Sequence, residues 1–284
     1  FTLGTSDFLQ FNLVTYATST DGLWALTGSG LASLDKVAAA PLNSLNASFR
    51  HPIEVVESEM FVGDKNLIYY FDNVGSTGTA FTLPPEVNVT SLRKHTDGRT
   101  LLAFCGETAN LSHTNDGNGY VYFCNPRTRL WDREVVVEAQ VEGTRNVGGV
   151  IYCTWGNNFG YFNGNGLVFL KKLSTSATTY SHNISNIDDI LTIRDGLNVL
   201  AYGNLGAGNV WWKPFKNTTN TNNINNISYK GDNVLLVAFQ GASAGTGLLQ
   251  EIDYDNSGIE GLFIGNRLRF GAKSSIRGIE IIHD

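Results

Sequence analysis

The hydrophobic residues of this chain fall in short runs, and a turn of Asp, Asn or Gly stands before each of them. Such residues adopt the positive φ angles of tight turns, so the pattern predicts β-hairpins. The strands begin near residues 23, 67, 101, 150, 199, 234 and 268. Their spacing, from the mid-thirties to about fifty residues, is typical of propeller blades. The seven turns are Asp21-Gly22, Gly63-Asp64, Asp97-Gly98, Gly148-Gly149, Asp195-Gly196, Gly231-Asp232 and Gly265-Asn266.

The predicted strands are almost continuously apolar, as expected for a sheet that is buried on both faces between two others. We therefore predict an all-β chain with little or no helix, folded over residues 1–284 as a single β-propeller. Seven blades fit the copies best, and six are the alternative. The predicted strands Phe8–Val14 and Gly278–Ile282 would close the ring. An open β-sandwich or a β-solenoid is the competing arrangement.

Two segments depart from the repeated pattern. Leu31, Leu34 and Val37 are spaced as on a helix before Pro41, which predicts one short helix over Leu31–Ala40. Residues 216–228 form an Asn-rich polar stretch that cannot bury a face, and we expect a loop on the rim of the propeller.

Charge and composition exclude several classes of partner. The net charge is −6 and only 16% of the 284 residues are charged, so no basic surface for nucleic acid is expected. A hydrophobic share of 42% is too high for a disordered chain. The uncharged stretch Asn146–Leu170 contains several Asn and Gly residues, so we predict no membrane span there.

One segment has the spacing of a calcium loop. Asp253, Asp255, Ser257 and Glu260 place oxygen atoms near the sharp turn that Gly258 allows, and these are ligands that calcium prefers. The segment resembles in part the Asp-x-Asp-x-Asp-Gly loops of some propellers, with Ser257 in place of the third Asp. A long turn of ordinary polar residues is the other interpretation. No other cofactor is expected.

Adjacent tryptophans suggest a surface for sugars. Trp211 and Trp212 would point to opposite faces of a strand, so one of them could line a groove with Trp24, Trp131 or Trp155. Packing between blades is the alternative explanation for all five.

Catalytic patterns are weak. Gly241–Gly245 matches Gly-x-Ser-x-Gly, but it joins two predicted strands instead of a strand and a helix. The paired acids Asp188-Asp189 and Glu54/Glu57 could serve a glycosidase only if both members entered one pocket. We therefore predict that the chain is not an enzyme.

The histidines and cysteines show no metal-binding spacing. The five histidines lie far apart in the sequence, and the three cysteines lie inside apolar strands. A bridge between Cys105 and Cys124 remains open at this stage.

A low-charge chain rich in Asn, Gly and Thr, with the ending Arg269-Phe-Gly-Ala-Lys-Ser-Ser-Ile-Arg-Gly-Ile-Glu-Ile-Ile, resembles the virion-associated structural propellers of tailed bacteriophages. The resemblance implies a non-catalytic structural or host-contact component of a virus particle. Its partners would be other virion proteins, copies of itself or host surface glycans. The alternative function is a secreted, extracellular carbohydrate-binding propeller that uses calcium.

Overall fold

The structure is a computed structural model that describes 13 stretches of the chain. Between them, these stretches form 24 β-strands and no helix. In these stretches, no helix is long and apolar enough to cross a membrane. The stretches are 7–19, 21–26, 34–72, 74–107, 117–173, 184–187, 190–195, 198–204, 209–216, 224–231, 234–240, 247–253 and 262–264.

The first three sheets are antiparallel meanders of four strands each, which we number I, II and III. Sheet I holds β1 Phe8–Phe11, β2 Val14–Ser19, β3 Gly22–Leu26 and β4 Leu34–Lys36. Sheet II holds β5 Ile53–Val56, β6 Glu59–Asp64, β7 Leu67–Asp72 and β8 Thr77–Thr82. Sheet III holds β9 Asn88–Lys94, β10 Leu101–Gly106, β11 Gly119–Asn125 and β12 Leu130–Val137.

The remaining strands form sheets IV, V and VI. Sheet IV holds β13 Gly143–Val147, β14 Val150–Trp155, β15 Asn158–Phe162 and β16 Leu167–Lys172. Sheet V holds β17 Ile184–Ile187, β18 Ile190–Asp195, β19 Asn198–Asn204, β20 Asn209–Lys216 and, paired beyond β20, β24 Leu262–Ile264. Sheet VI holds β21 Ile224–Gly231, β22 Val234–Gln240 and β23 Gly247–Asp253.

The first strands of successive sheets lie beside one another. β1 lies near β5, β5 near β9, β9 near β13, β13 near β17, and β17 near β21. Each sheet then continues outward from its first strand by short hairpins. This arrangement, with first strands inside and fourth strands on the rim, is that of a β-propeller. The prediction of an all-β propeller is confirmed, while the count of seven blades stays a prediction.

Apolar cores fill the spaces between neighbouring sheets. In β10, Leu101, Ala103 and Cys105 pack toward sheet II, and Leu102 and Phe104 pack toward sheet IV. Every residue of β10 is buried. Alternate side chains thus enter two different cores, which explains why the strand reads as one continuous apolar run.

The repeated turns are hairpins, but they do not mark one position in the blade. In sheets I, II and V the turn joins the second and third strands, and in sheets III, IV and VI it joins the first and second. The uneven spacing along the sequence follows from this change of position. The seventh copy, Gly265-Asn266, lies outside the described residues.

Two predicted elements near the N-terminus are wrong in detail. The expected strand Phe8–Val14 is a hairpin, because Asn12 and Leu13 both have positive φ (48° and 66°) and Phe11 pairs with Val14. The expected helix Leu31–Ala40 contains β4 instead. Pairing of β4 with β3 outweighs a helical spacing of only three apolar residues.

The polar stretch 216–228 is shorter as a loop than predicted. Lys216 ends β20, and β21 already begins at Ile224. Ile224 and Ile227 pair with Phe239 and Val237 of β22. The part of the stretch from Ile224 onward is therefore a strand and not a loop. Residues 217–223 and the closing strand 278–282 lie outside the described residues.

Candidate functional site

A cleft of about 280 Å³ lies between sheets III and IV. It opens where the first–second and third–fourth turns of each sheet lie, which we call face A. Turn β9–β10 of sheet III borders it on one side, and turns β13–β14 and β15–β16 of sheet IV border it on the other. The residues that line it are His95, Thr96, Gly149, Val150, Ile151, Tyr161, Phe162, Asn163 and Gly164.

Asp97 holds turn β9–β10 in shape. Its Oδ1 accepts the N–H groups of Arg99 and Thr100, both at 2.8 Å, and its Oδ2 accepts the Thr100 hydroxyl at 2.6 Å. Partial burial alone would raise the pKa of Asp97, but these hydrogen bonds prevail and hold it well below its ordinary value. Asp97 is therefore ionised at neutral pH.

His95 lies at the mouth of the cleft beside this carboxylate. Its Nδ1 is 3.1 Å from Asp97 Oδ2, although the two atoms are not aligned as a hydrogen bond. The ring also packs edge-on against Phe123, with centroids 5.7 Å apart. His95 is therefore a partly exposed polar ring at the mouth of the cleft.

Turn β15–β16 forms the opposite lip of the cleft. Asn163 Oδ1 accepts the N–H groups of Asn165 (2.9 Å) and Gly166 (3.0 Å). Gly164 has a φ of 91°, which favours glycine, and its carbonyl accepts a hydrogen bond from Arg133 of β12 at 2.9 Å. The lip is thus fixed from both sheets and carries only small side chains.

Charged side chains from four sheets meet near the first strands. Arg93 donates twice to the carbonyl of Thr144 (2.6 and 3.1 Å) and lies 3.6 Å from Glu54. Arg145 remains accessible to solvent but has protein on several sides. Partial burial and the neighbouring Arg93 lower the pKa of Arg145, while Asp7 and Glu54 raise it. The two acidic and two basic side chains have no net charge together. The group therefore connects the sheets and does not form a surface for an anionic or a cationic ligand.

His51 has a structural position between sheets I and II. The ring is buried, with Nδ1 3.1 Å from the carbonyl of Gly63 and 3.7 Å from Asp64. Its own carbonyl accepts the Thr18 hydroxyl at 2.6 Å. Burial lowers the pKa of His51 and raises the pKa of Asp64.

The predicted calcium residues are untested. Asp253 ends β23, where it pairs with Val234, and the other three, Asp255, Ser257 and Glu260, lie outside the described residues. In the described part of the chain, no three His, Cys, Asp or Glu side chains lie close enough to hold a metal ion.

The tryptophans have different surroundings. Trp211 and Trp212 lie in β20, where they pair with Tyr202 and Ala201. Trp155 is buried, and its Nε1 donates to Glu138 at 2.9 Å. Trp24 donates to Ser19 at 2.9 Å. Trp131 is the most exposed of the three whose side chains are described, at 39%, and its ring stands edge-on to Tyr122.

The predicted acid pair Glu54/Glu57 is divided between two arginines. Glu57 forms a two-point contact with Arg127 (2.7 and 3.2 Å), whereas Glu54 faces Arg93. The Arg127 hydrogen bond lowers the pKa of Glu57. Asp188-Asp189 and Gly241–Gly245 lie outside the described residues.

The cysteines are free thiols and are buried. Cys105 pairs with Tyr120 and Cys124 with Leu101 in the β10–β11 ladder, so the two are not opposite one another. Burial raises the pKa of Cys105 and raises that of Cys124 to about 12, and such thiols are unreactive at neutral pH.

The sequence pattern gave His95 no metal-binding role and did not indicate the cleft. The only local signal is the segment His95-Thr96-Asp97-Gly98, which reads as an ordinary turn. The cleft depends on Gly149 and Asn163, more than fifty residues away in the sequence.

No protein-family profile matches the chain, and no curated protein sequence matches it. Three solved structures are similar in fold. Streptogramin B lyase is 10% identical, with a TM-score of 0.58 over 81% of this chain and 74% of that one. A catalytically inactive virginiamycin B lyase from Staphylococcus aureus with quinupristin is 12% identical, with a TM-score of 0.57 over 80% and 73%. A protein of unknown function from Bacteroides caccae is 11% identical, with a TM-score of 0.54 over 88% and 92%.

At these identities the likeness shows the fold alone. Two of the three structures are lyases, so proteins of this fold include enzymes, and the fold does not decide whether this chain is one. The resemblance to phage propellers is not addressed by these structures and stays a prediction.

Proposed function

We propose that the chain is a non-catalytic, rigid protein-interaction propeller that forms a structural or host-contact component of a phage particle. Its site of action is then the virion, and its partners are other virion proteins or further copies of itself. The observation that carries the proposal is the distribution of exposed apolar residues on the outer strands of sheets III and IV.

Six large hydrophobic side chains are exposed in the described part of the chain, and four of them lie on β12 and β16. These are Leu130 (63% exposed), Trp131, Val136 (57%) and Phe169 (54%). Exposed apolar side chains on the outer strands of two neighbouring sheets offer a surface that another protein can cover. The rim of sheets III and IV is therefore the proposed contact surface.

The sheets beneath this rim are held together by polar contacts as well as by apolar cores. Arg127 bonds to Glu57 across sheets III and II, and Arg133 bonds to the Gly164 carbonyl across sheets III and IV. Such contacts between sheets resist sliding of one blade past the next. A rigid module of this kind suits a particle component that must hold a fixed shape.

The ring is proposed to have seven blades, with six as the alternative. The described residues supply six sheets, and the predicted strands at 268–270 and 278–282 would supply the seventh. A closed ring leaves only short, protected sheet edges, which limits unwanted pairing with other chains.

Electron microscopy of the source material tests the proposed role. The expected result is this chain at fixed positions in a large symmetric assembly, with the rim of sheets III and IV against a neighbour. A native mass equal to one chain, together with no density for it in any particle, would overturn the proposal.

A secreted carbohydrate-binding propeller, assisted by calcium, is the second candidate. The half-exposed Trp131 ring, supported by Tyr122 and Tyr120, favours it because sugars stack on such aromatic surfaces. Glycan-array binding with and without calcium tests this function. The double variant Asp253→Asn/Asp255→Asn should lose only the glycan binding that depends on calcium. If glycan binding is unaffected by calcium and by this variant, calcium has no role in it.

A further inference from the structure

We infer that the cleft between sheets III and IV binds one neutral monosaccharide unit, the terminal residue of a surface glycan. The inference rests on the carbohydrate-binding candidate and assigns it a site. It also differs from the sequence-based expectation, because the site is a cleft beside His95 and does not use the tryptophans.

The cleft lies beside a turn that has only short side chains. In sheet III, turn β11–β12 carries Arg127 and Arg129, and both reach back to acids of sheet II. The matching turn of sheet IV reads Asn163-Gly164-Asn165-Gly166. Nothing in that turn is long enough to reach back to sheet III, so the space that arginines occupy at the one contact stays open at the next.

The walls combine apolar side chains with hydrogen-bonding groups. Ile151 and the edge of the Phe162 ring, both on the sheet III side of sheet IV, supply apolar surface against which the C–H face of a pyranose ring can pack. His95 and Thr96 stand on the opposite side, and the Asn163 amide is fixed at the lip by the hydrogen bonds of its own turn. This mixture of apolar and polar groups matches a sugar, which has an apolar face and hydroxyl groups around its edge.

The volume favours a single unit. At about 280 Å³ the cleft is slightly smaller than most ligand pockets, which span roughly 300–1,000 Å³. A larger glycan can enter only by its end. The open side of the cleft on face A leaves room for the remainder of the chain in solvent.

The charges favour an uncharged sugar. The wall residues include no Asp, Glu, Lys or Arg. Asp97 lies directly behind His95 and is ionised, and Arg133 is already bonded to turn β15–β16. A carboxylated sugar would meet the Asp97 charge without a free cation in the walls, so a neutral sugar binds better.

The test uses the full chain and free methyl glycosides of glucose, galactose, mannose and N-acetylglucosamine, with N-acetylneuraminic acid as the charged comparison. Binding is measured by saturation-transfer NMR and titration. Thr96→Phe places a ring in the cleft at an exposed turn position, and Thr128→Phe makes the same change at an exposed turn outside it. His95→Gln removes the imidazole while keeping a polar side chain.

At least one neutral glycoside should bind, and N-acetylneuraminic acid should not. Thr96→Phe should weaken binding by about tenfold or more, and His95→Gln should weaken it less. Thr128→Phe should leave it unchanged. Circular dichroism confirms that each variant is folded.

The failure of the site and the failure of the function are distinguishable. Sugar binding that survives Thr96→Phe and His95→Gln but is lost in Trp131→Ala overturns the cleft and leaves the carbohydrate function in place. No binding of any glycoside, combined with an empty glycan array, overturns both.

Discussion

Two neighbouring contacts in this propeller are built from the same elements and end differently on face A. Between sheets II and III, Arg127 and Arg129 bond to Glu57 and Glu59 and close the contact. Between sheets III and IV, the equivalent turn has only Asn and Gly, and a cleft remains. The length of the side chains in one turn of four residues therefore distinguishes the closed contact from the open one.

The closed contact should depend more strongly on its buried aromatic ring than the open one does. Phe61 is fully buried against Phe81, so Phe61→Ala should cost about 3–5 kcal/mol in the free energy of unfolding. Phe162 borders the cleft, where water can fill the space that its ring leaves. We expect Phe162→Ala to cost about 1 kcal/mol less than Phe61→Ala, because the cavity term is smaller.

Urea unfolding of the unchanged chain, Phe61→Ala and Phe162→Ala measures this difference in the free energy of unfolding. Phe169→Ala is the matched control, since that ring is 54% exposed and its loss should change stability by less than about 0.5 kcal/mol. Equal losses for Phe61→Ala and Phe162→Ala would contradict the distinction between a closed and an open contact.

The same comparison shows what a sequence can predict. The hairpins at Asp97-Gly98 and Gly148-Gly149 were predicted correctly, because a turn depends on residues that are adjacent in the chain. Burial of β10 on both faces was also implied by its continuous apolar run. These parts of the fold are local, and the sequence pattern contains them.

The parts that were missed depend on residues far apart in the chain. β4 forms because β3 lies beside it, and a helical spacing of apolar residues gives no information on that neighbour. The cleft needs His95, Gly149 and Asn163 together, and no pattern within one segment indicates that they meet. Blade number also depends on residues far apart in the chain, since it is set by how the ring closes, and the count of seven stays a prediction.

Arg129 should be the more important of the two arginines that close the II–III contact. Its guanidinium lies 4.5 Å from the Tyr70 ring centroid and 5.7 Å from that of Phe61, and it also bonds to Glu59. Arg129→Ala should therefore cost about 1–2 kcal/mol, the sum of a stacking and an ion-pair contribution. Urea unfolding at low and high salt measures it.

Arg129→Lys separates the two contributions. Lysine keeps the charge but not the flat surface that stacks on Tyr70, so it should restore only the salt-dependent part. Full recovery of stability by lysine would show that stacking contributes nothing.

Asp97 should make the open contact sensitive to acid. The folded-state pKa of Asp97 lies below its ordinary value of 3.8, so its stabilisation is present above that value and is lost as the pH falls below it. Asp97→Ala should cost about 1 kcal/mol at pH 7, because three hydrogen bonds to an exposed carboxylate are lost. The loss should shrink as the pH falls from about 4 toward 2.

Asn163 provides the uncharged counterpart on the other lip. Asn163→Ala removes a similar pair of hydrogen bonds from turn β15–β16, but an amide does not titrate in this range. Its effect on unfolding should be the same at pH 7 and pH 3. A loss that varies with pH equally in both variants would assign the acid sensitivity to some other group.

Arg127 should show the smallest effect, although its contact with Glu57 has the better geometry. The side chain is 68% exposed, so water and salt screen the charges and offset most of what the two hydrogen bonds contribute. Arg127→Ala should lower the urea midpoint slightly at low salt and leave it unchanged at high salt. A loss as large as that of Arg129→Ala would mean that the ion pairs alone close the contact. We expect Arg129 to contribute more than Arg127 because its guanidinium stacks on the rings of Tyr70 and Phe61. Stacking of Arg129 therefore stabilises the contact between sheets II and III, and the exposed Arg127–Glu57 ion pair adds little to it.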